Sequence, residues 1–199
     1  MIEGRKLPSH LECPVDNIIL EHIVEPLNPV FKKLGATPNI LTAISGVFGL
    51  LAVYHVQKSN YYLAALFFGI SYIFDCFDGN FARRYNMVTR FGDWFDHLKD
   101  ATVAVLLISA LYFKQDIPNK TKVWSFVVFV ILTFLMHGYL NLQERHYHKE
   151  PRREPKSETL GVLPDIFDEE HMDTLRHFGC GTMNAFVVIM LVYLGRVSS

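Results

Sequence analysis

The chain has 199 residues, 50% of them apolar and 20% charged, with a formal net charge of −1 at pH 7. That length suits one domain with a small extension, and the near-neutral balance leaves no basic footprint for nucleic acid. The apolar residues are gathered rather than scattered. Residues 36–57, 123–143 and 177–195 contain no Lys, Arg, Asp or Glu, and each can cross a hydrocarbon core of about 30 Å, which excludes an ordinary soluble domain.

The first 14 residues lack the continuous apolar core of a signal peptide, so the first span is expected to serve as an uncleaved anchor. In residues 15–34, Ile18, Ile19, Ile23, Leu27, Val30 and Phe31 recur at roughly helical spacing among Asp16, Glu21, Glu25, Lys32 and Lys33. This reads as an amphipathic helix lying in the membrane interface, or as a soluble cap over the membrane domain. Pro26 and Pro29 are expected to kink or interrupt it. Thr37-Pro38-Asn39 opens a first span over 38–56, and a second covers 61–83. After a loop at 84–91, Asp93 is read as the N-cap of a third span over 93–113. A fourth span at 123–143, a polar stretch at 144–170 and a fifth span at 177–195 complete the chain. The expected fold is an all-α polytopic transmembrane bundle over 37–199, preceded by the 1–36 segment.

Basic residues set the orientation. Arg83, Arg84 and Arg90 flank one loop, and Arg145, Lys149, Arg152, Arg153 and Lys156 crowd another. The positive-inside rule puts those loops and the N-terminus in the cytoplasm. Trp94 and Tyr139 read as interfacial aromatics, and Lys99 and His97 as interface-facing or snorkelling side chains. Cys13, Cys76 and Cys180 form no ligand-like pattern.

The second and third spans carry acids that a membrane helix ordinarily excludes. Asp75 and Asp78 are three residues apart and Asp96 and Asp100 four apart, so each pair shares one helix face. Two antiparallel helices would bring the pairs together, and their repulsion calls for divalent cations. An all-oxygen set suits Mg²⁺, Mn²⁺ or Ca²⁺ rather than zinc or copper. Gly79, Ala82 and Gly92 keep the neighbourhood shallow, while Arg83 supplies a fork for phosphate oxygens.

Asp75-Cys-Phe-Asp78-Gly79-Asn-Phe-Ala82-Arg83, eight residues, then Gly92-Asp-Trp-Phe-Asp96-His-Leu-Lys-Asp100 resembles the signature of the CDP-alcohol phosphotransferase (CDP-alcohol phosphatidyltransferase) family at all eight specified positions. Thr37-Pro38-Asn39 with Leu41-Thr42 also resembles the start of that family's first span. The resemblance implies that Asp75, Asp78, Asp96 and Asp100 hold two Mg²⁺ or Mn²⁺ ions and that Asp100 is the general base. It implies that Asp78, Gly79, Ala82, Arg83 and Gly92 line the nucleotide and diphosphate pocket. An alcohol hydroxyl would attack the β-phosphorus of a CDP-linked donor at the cytoplasmic face, releasing CMP. A lipid substrate and a homodimer are implied too, with the endoplasmic reticulum as the site in a eukaryotic cell. The family usually has six spans against the five counted here, so either one is missing or part of 158–176 re-enters the bilayer.

Asn141, Glu144 and Arg145, near the cytoplasmic end of the fourth span, are candidates for binding the acceptor; the bland alternative is an ordinary wet helix end. The short chain resembles the branch using CDP-diacylglycerol, whereas Phe95-Asp96-His97 resembles the branch moving choline or ethanolamine phosphate to diacylglycerol. A divalent-cation carrier would explain the four acids but not the spaced Gly79, Ala82, Arg83 and Gly92. A degenerate scaffold is the other rival, opposed by the intact motif.

Overall fold

A computed structural model of the chain describes residues 4–147 and 167–197. They form α1 (Pro14–Ile19), a π-helical turn (Leu20–Val24), α2 (Glu25–Lys33), α3 (Pro38–Gln57), α4 (Tyr61–Arg84), α5 (Arg90–Phe113) and α6 (Asn119–Tyr147). The last part comprises α7 (Met172–Leu175) between two short 3-10 turns, and then α8 (Cys180–Val197). Among the described residues, four helical stretches, Pro38–Gln57, Tyr61–Arg84, Asn119–His146 and Glu169–Val197, are long and apolar enough to cross a membrane. The 24-residue α5 matches them in length but gathers Arg90, Asp93, Asp96, Lys99 and Asp100 in its first half. The chain is an all-α polytopic bundle. The 158–166 part of the stretch considered for re-entry lies outside the described residues, as do Lys149, Arg152, Arg153 and Lys156.

Local signals explain most boundaries. Thr37 caps α3 by accepting from Ile40 N at 3.4 Å, with Pro38 in the first turn. The expected cap of α5 is corrected: Thr89 takes that role, accepting from Gly92 N at 3.0 Å, and Asp93 falls inside the first turn. Thr89 is extended and its hydroxyl points back at the helix, so α5 starts at Arg90 rather than at residue 93. The prolines of the N-terminal segment do not interrupt it either. The chain stays helical from residue 14 to residue 33 because the register widens to a π turn just before Pro26. Such a turn accommodates the hydrogen bond that proline cannot make.

The centre of the bundle is α3, which packs against both α4 and α5, while α8 packs on the far side of α4. Small residues make the close approach possible, as they do between membrane helices generally. A Cβ added at Gly49 would stand 2.7 Å from Val103 of α5, and one at Gly46 would stand 3.2 Å from the stem of Lys99. Where α3 meets α4, Ser45 Oγ donates to Ser71 O at 2.9 Å and Ser71 Oγ donates to Ser45 O at 2.8 Å. Gly49→Val therefore overpacks the α3–α5 contact. It is expected to destabilise the protein by about 1–3 kcal/mol, lowering the detergent-solubilised melting temperature; an unchanged melt would contradict this packing.

Among the described residues the apolar core falls into three clusters, one of which gathers Leu7, Tyr139, Leu142, Met172 and Leu175. A second joins α3, α4, α5 and α8 through Val53, Val56, Ala64, Leu107 and Leu191. The third seats Leu20 and Val24 of the N-terminal segment on Leu41, Phe77 and Phe81. The opposite side of that segment leaves Ile18, Leu27, Val30 and Leu34 exposed, an apolar face of the kind that lies in a membrane interface. On the rim of the bundle, α6 exposes Val123, Trp124, Phe126, Ile131 and Phe134, which suits contact with lipid. Tyr139 is corrected from the interfacial belt: it is 1% exposed, and its hydroxyl donates to Leu11 O at 3.1 Å and Glu12 Oε1 at 3.2 Å.

Candidate active site

Asp75 and Asp78 come from the second half of α4, and Asp96 and Asp100 from the first half of α5. One oxygen each from Asp75, Asp78 and Asp96 lies within 4.8 Å of the others. Asp100 stands outside that group of three, one turn further along α5. Burial separates the four acids. Asp78 is 5% exposed and accepts from Thr42 Oγ1 of α3 at 2.6 Å, whereas the Asp100 side chain is 56% exposed. Thr42 also donates to Pro38 O at 3.1 Å, so the start of α3 sets where Asp78 points.

Lys99 is the main correction to the sequence reading. It does not snorkel to the interface: its side chain is 7% exposed, and Nζ pairs with Asp75, with Asp96 at 3.0 Å and with Asp100 at 2.8 Å. A signal for this was present, since Lys99 is three residues from Asp96 and therefore shares the acidic face. His97, by contrast, turns its Nδ1 back to Asp93 O at 2.7 Å.

The acids suit a hard divalent cation. Three converging carboxylates from two helices could offer it oxygen ligands. Asp96 Oδ1 is buried, and Lys99 Nζ lies 3.0 Å from it.

The acids face a cavity of about 740 Å³. Gly79, Ala82, Arg83 and Gly92 line it with Asp78, so the residues assigned to the nucleotide and diphosphate share one wall system. A Cβ at Gly79 would meet the Arg83 guanidinium at 3.2 Å, so glycine leaves room for that group to lie over the helix. Arg83 Nε donates to Gly4 O at 2.8 Å. Gly4 has φ +95°, and a Cβ there would stand 2.8 Å from Asn80 O, so the N-terminus approaches α4 where only glycine fits.

Of the three acceptor candidates, Glu144 lines the cavity and pairs with Lys6 Nζ at 3.3 Å. Asn141 and Arg145 are not among the lining residues, and Arg145 Nη1 donates to Phe167 O at 3.4 Å. Sequence reasoning missed the polar contribution of the N-terminal segment. Glu12 and Asp16 are buried and line the same cavity. Glu12 accepts from Tyr139 and, at 3.1 Å, from Gln143 Nε2; Asp16 accepts from the Tyr72 hydroxyl. Space for Asp16 comes from the start of α8, where a Cβ at Gly181 would stand 2.6 Å from Asp16 Oδ1.

Burial, and then the Asp16 carboxylate, push the Glu12 carboxyl above its ordinary value against the opposing pull of Arg83 and Tyr139. The folded state then holds this proton more tightly than the unfolded chain. Stability is accordingly greatest below the ordinary carboxylate range and falls as pH rises through it. Glu12→Gln keeps an oxygen for Tyr139 and is expected to flatten that fall in thermal melts between about pH 4 and 7. Parallel melting curves for variant and wild type would reject the assignment.

Comparison with known proteins fits this arrangement of acids and cavity. The sequence profile of the CDP-alcohol phosphatidyltransferase family matches residues 35–196. The chain belongs to that family. It is 29% identical to an archaetidylinositol phosphate synthase of Pyrococcus horikoshii over 109 residues, 53% of this chain and 58% of that protein. It is 32% identical to a CDP-diacylglycerol–serine O-phosphatidyltransferase of Helicobacter pylori over 175 residues, 85% of this chain and 70% of the relative. A CDP-diacylglycerol–glycerol-3-phosphate 3-phosphatidyltransferase of Rickettsia felis is 38% identical over 70 residues, 35% of this chain and 39% of its own length. The chain thus spans less than two thirds of the Pyrococcus and Rickettsia proteins. No solved structure matches it.

Proposed function

We propose that this family member is a membrane-embedded transferase that moves a phosphatidyl group from CDP-diacylglycerol to an alcohol hydroxyl, releasing CMP. The observation that carries the reading is the convergence of Asp75, Asp78 and Asp96 beside Arg83 and Gly79 in one cavity, with Asp100 projecting next to them. The names of the Helicobacter and Rickettsia relatives support the donor, since both contain CDP-diacylglycerol. The catalytic unit is residues 37–199, and the basic residues Arg83, Arg84 and Arg90 argue for a cavity mouth on the cytoplasmic side.

In this reading Asp75, Asp78 and Asp96, joined by Asp100, would hold Mg²⁺ or Mn²⁺. Such ions orient a diphosphate and offset charge on its leaving oxygen. Arg83 holds the phosphate oxygens as a bidentate fork, and Gly79 and Gly92 let the donor approach the helix backbones. Asp100 takes the proton of the acceptor hydroxyl as that oxygen attacks the β-phosphorus and the bond to CMP breaks. Glu144, with Lys6 beside it, stands on the cavity wall where an acceptor headgroup would lie.

The test is CMP release by purified protein reconstituted in lipid, with Mg²⁺, Mn²⁺ or chelator. CDP-diacylglycerol is supplied with a panel of serine, inositol, glycerol phosphate and inositol phosphate; CDP-choline and CDP-ethanolamine are supplied with diacylglycerol. Metal-dependent release from CDP-diacylglycerol with one acceptor is the expected result. Release confined to CDP-choline or CDP-ethanolamine would overturn the donor. Tight CDP binding without release from any pair would mark a scaffold, and absence of CDP binding would favour a cation carrier.

A further inference from the structure

Lys99 occupies none of the motif's specified positions, yet its place in the fold is built from three helices. Its stem lies against Gly46 of α3, and Nζ donates to Ser45 Oγ at 3.3 Å. The same ammonium contacts Asp75 from α4 and Asp96 and Asp100 from α5. Asp75 and Asp96 belong to the group of three whose oxygens converge for a metal. An ammonium that is itself 7% exposed and a divalent ion at those oxygens repel one another at a separation of a few ångströms. They therefore compete.

We propose that Lys99 is a tethered cation of the acidic site, holding Asp75, Asp96 and Asp100 together when no divalent ion is bound and competing with that ion for the oxygens of Asp75 and Asp96. The inference rests on the metal reading of the preceding section. Its physical basis is the cost of gathering four carboxylates without compensation inside a membrane protein. Lys99 meets that cost in the metal-free chain at the expense of metal affinity.

Two variants separate charge from packing. Lys99→Gln keeps much of the stem and removes the charge; Lys99→Arg keeps the charge. Mn²⁺ binding is read from the electron paramagnetic resonance of free ion with detergent-solubilised protein, and thermal melts are run in chelator and in saturating Mn²⁺. Lys99→Gln is expected to bind Mn²⁺ about tenfold tighter than wild type, the scale set by removing one nearby charge. It should melt lower than wild type in chelator, with the gap closing in Mn²⁺. Lys99→Arg should stay within about threefold of wild type for Mn²⁺, since its charge is kept.

Equal Mn²⁺ affinity in wild type and Lys99→Gln, or weaker affinity in the variant, overturns the inference while leaving the metal reading intact. If neither protein binds Mn²⁺, the metal reading falls and this inference falls with it. Should Lys99→Gln fail to fold in either medium, wild type decides through reductive methylation followed by mass spectrometry. Lys99 is expected to be protected in chelator and modified in Mn²⁺, when the ion has displaced it. Equal modification in the two media overturns the inference.

Discussion

Asp100→Asn is expected to lower the rate of CMP release by about 10²–10⁴-fold, the range for removing a general base, while metal-dependent binding of the CDP donor survives. Two features single Asp100 out among the four acids. It stands outside the group of three carboxylates that converge on one point, and its side chain is the most exposed at 56%. A group that must meet an incoming hydroxyl needs that exposure, whereas a ligand is better held by burial. Asparagine keeps the shape and retains an oxygen for Lys99, 2.8 Å away in the wild type, but it cannot take up a proton. Measuring release and CDP binding on the same preparation separates chemistry from assembly. Near-normal turnover in the variant would remove Asp100 from the base role.

Asp78→Asn should behave differently, losing Mn²⁺ binding, metal-dependent CDP binding and turnover together. Asp78 is the most buried of the acids at 5% exposure, and its carboxylate is held by Thr42 at 2.6 Å. The amide oxygen can still accept from Thr42, so the helix contact and the fold are retained. What disappears is one negative charge from the centre of the three-acid group. Loss of an outer partner of a metal site already costs about 10–100-fold in affinity, so loss of a direct ligand is expected to cost at least about 100-fold. Mn²⁺ titration reads the first effect and CMP release the second. A variant that binds Mn²⁺ like wild type would exclude Asp78 from the ligand set. The contrast with Asp100→Asn is the useful part: one substitution stops the reaction with the site still loaded, and the other prevents loading.

Much of this site is legible in the sequence because its geometry is helical and local. Spacings of three and four residues put Asp75 with Asp78, and Asp96 with Asp100, on single faces whatever the rest of the chain does. The cost of acids in an apolar helix then demands that those faces meet or bind cations. Helix starts are readable where a capping residue carries the signal, as at Thr37, but the reading of Asp93 as a cap fails because Thr89, four residues earlier, takes that role. Continuity through Pro26 was not readable, because it depends on a register change that no single residue announces.

Helical periodicity and the price of intramembrane charge thus suffice for the class of fold, the paired acids and the small residues beside them. The destination of long or mobile side chains required the tertiary structure. Lys99 has a stem long enough to reach either the headgroup layer or the acids, and the choice falls to Gly46, which opens space for the stem, and to Asp75, which α3 brings near by packing on both α4 and α5. Glu12 and Asp16 belong to a segment whose apolar pattern says only that it is amphipathic. They become part of the cavity because Gly179 and Gly181 leave room for residues 13–16 against α8, where a Cβ at either glycine would approach Cys13, Val15 or Asp16 within 2.7 Å. Spacing along one helix is set by its own backbone hydrogen bonds, whereas a contact between segments far apart in the chain exists only once they have packed.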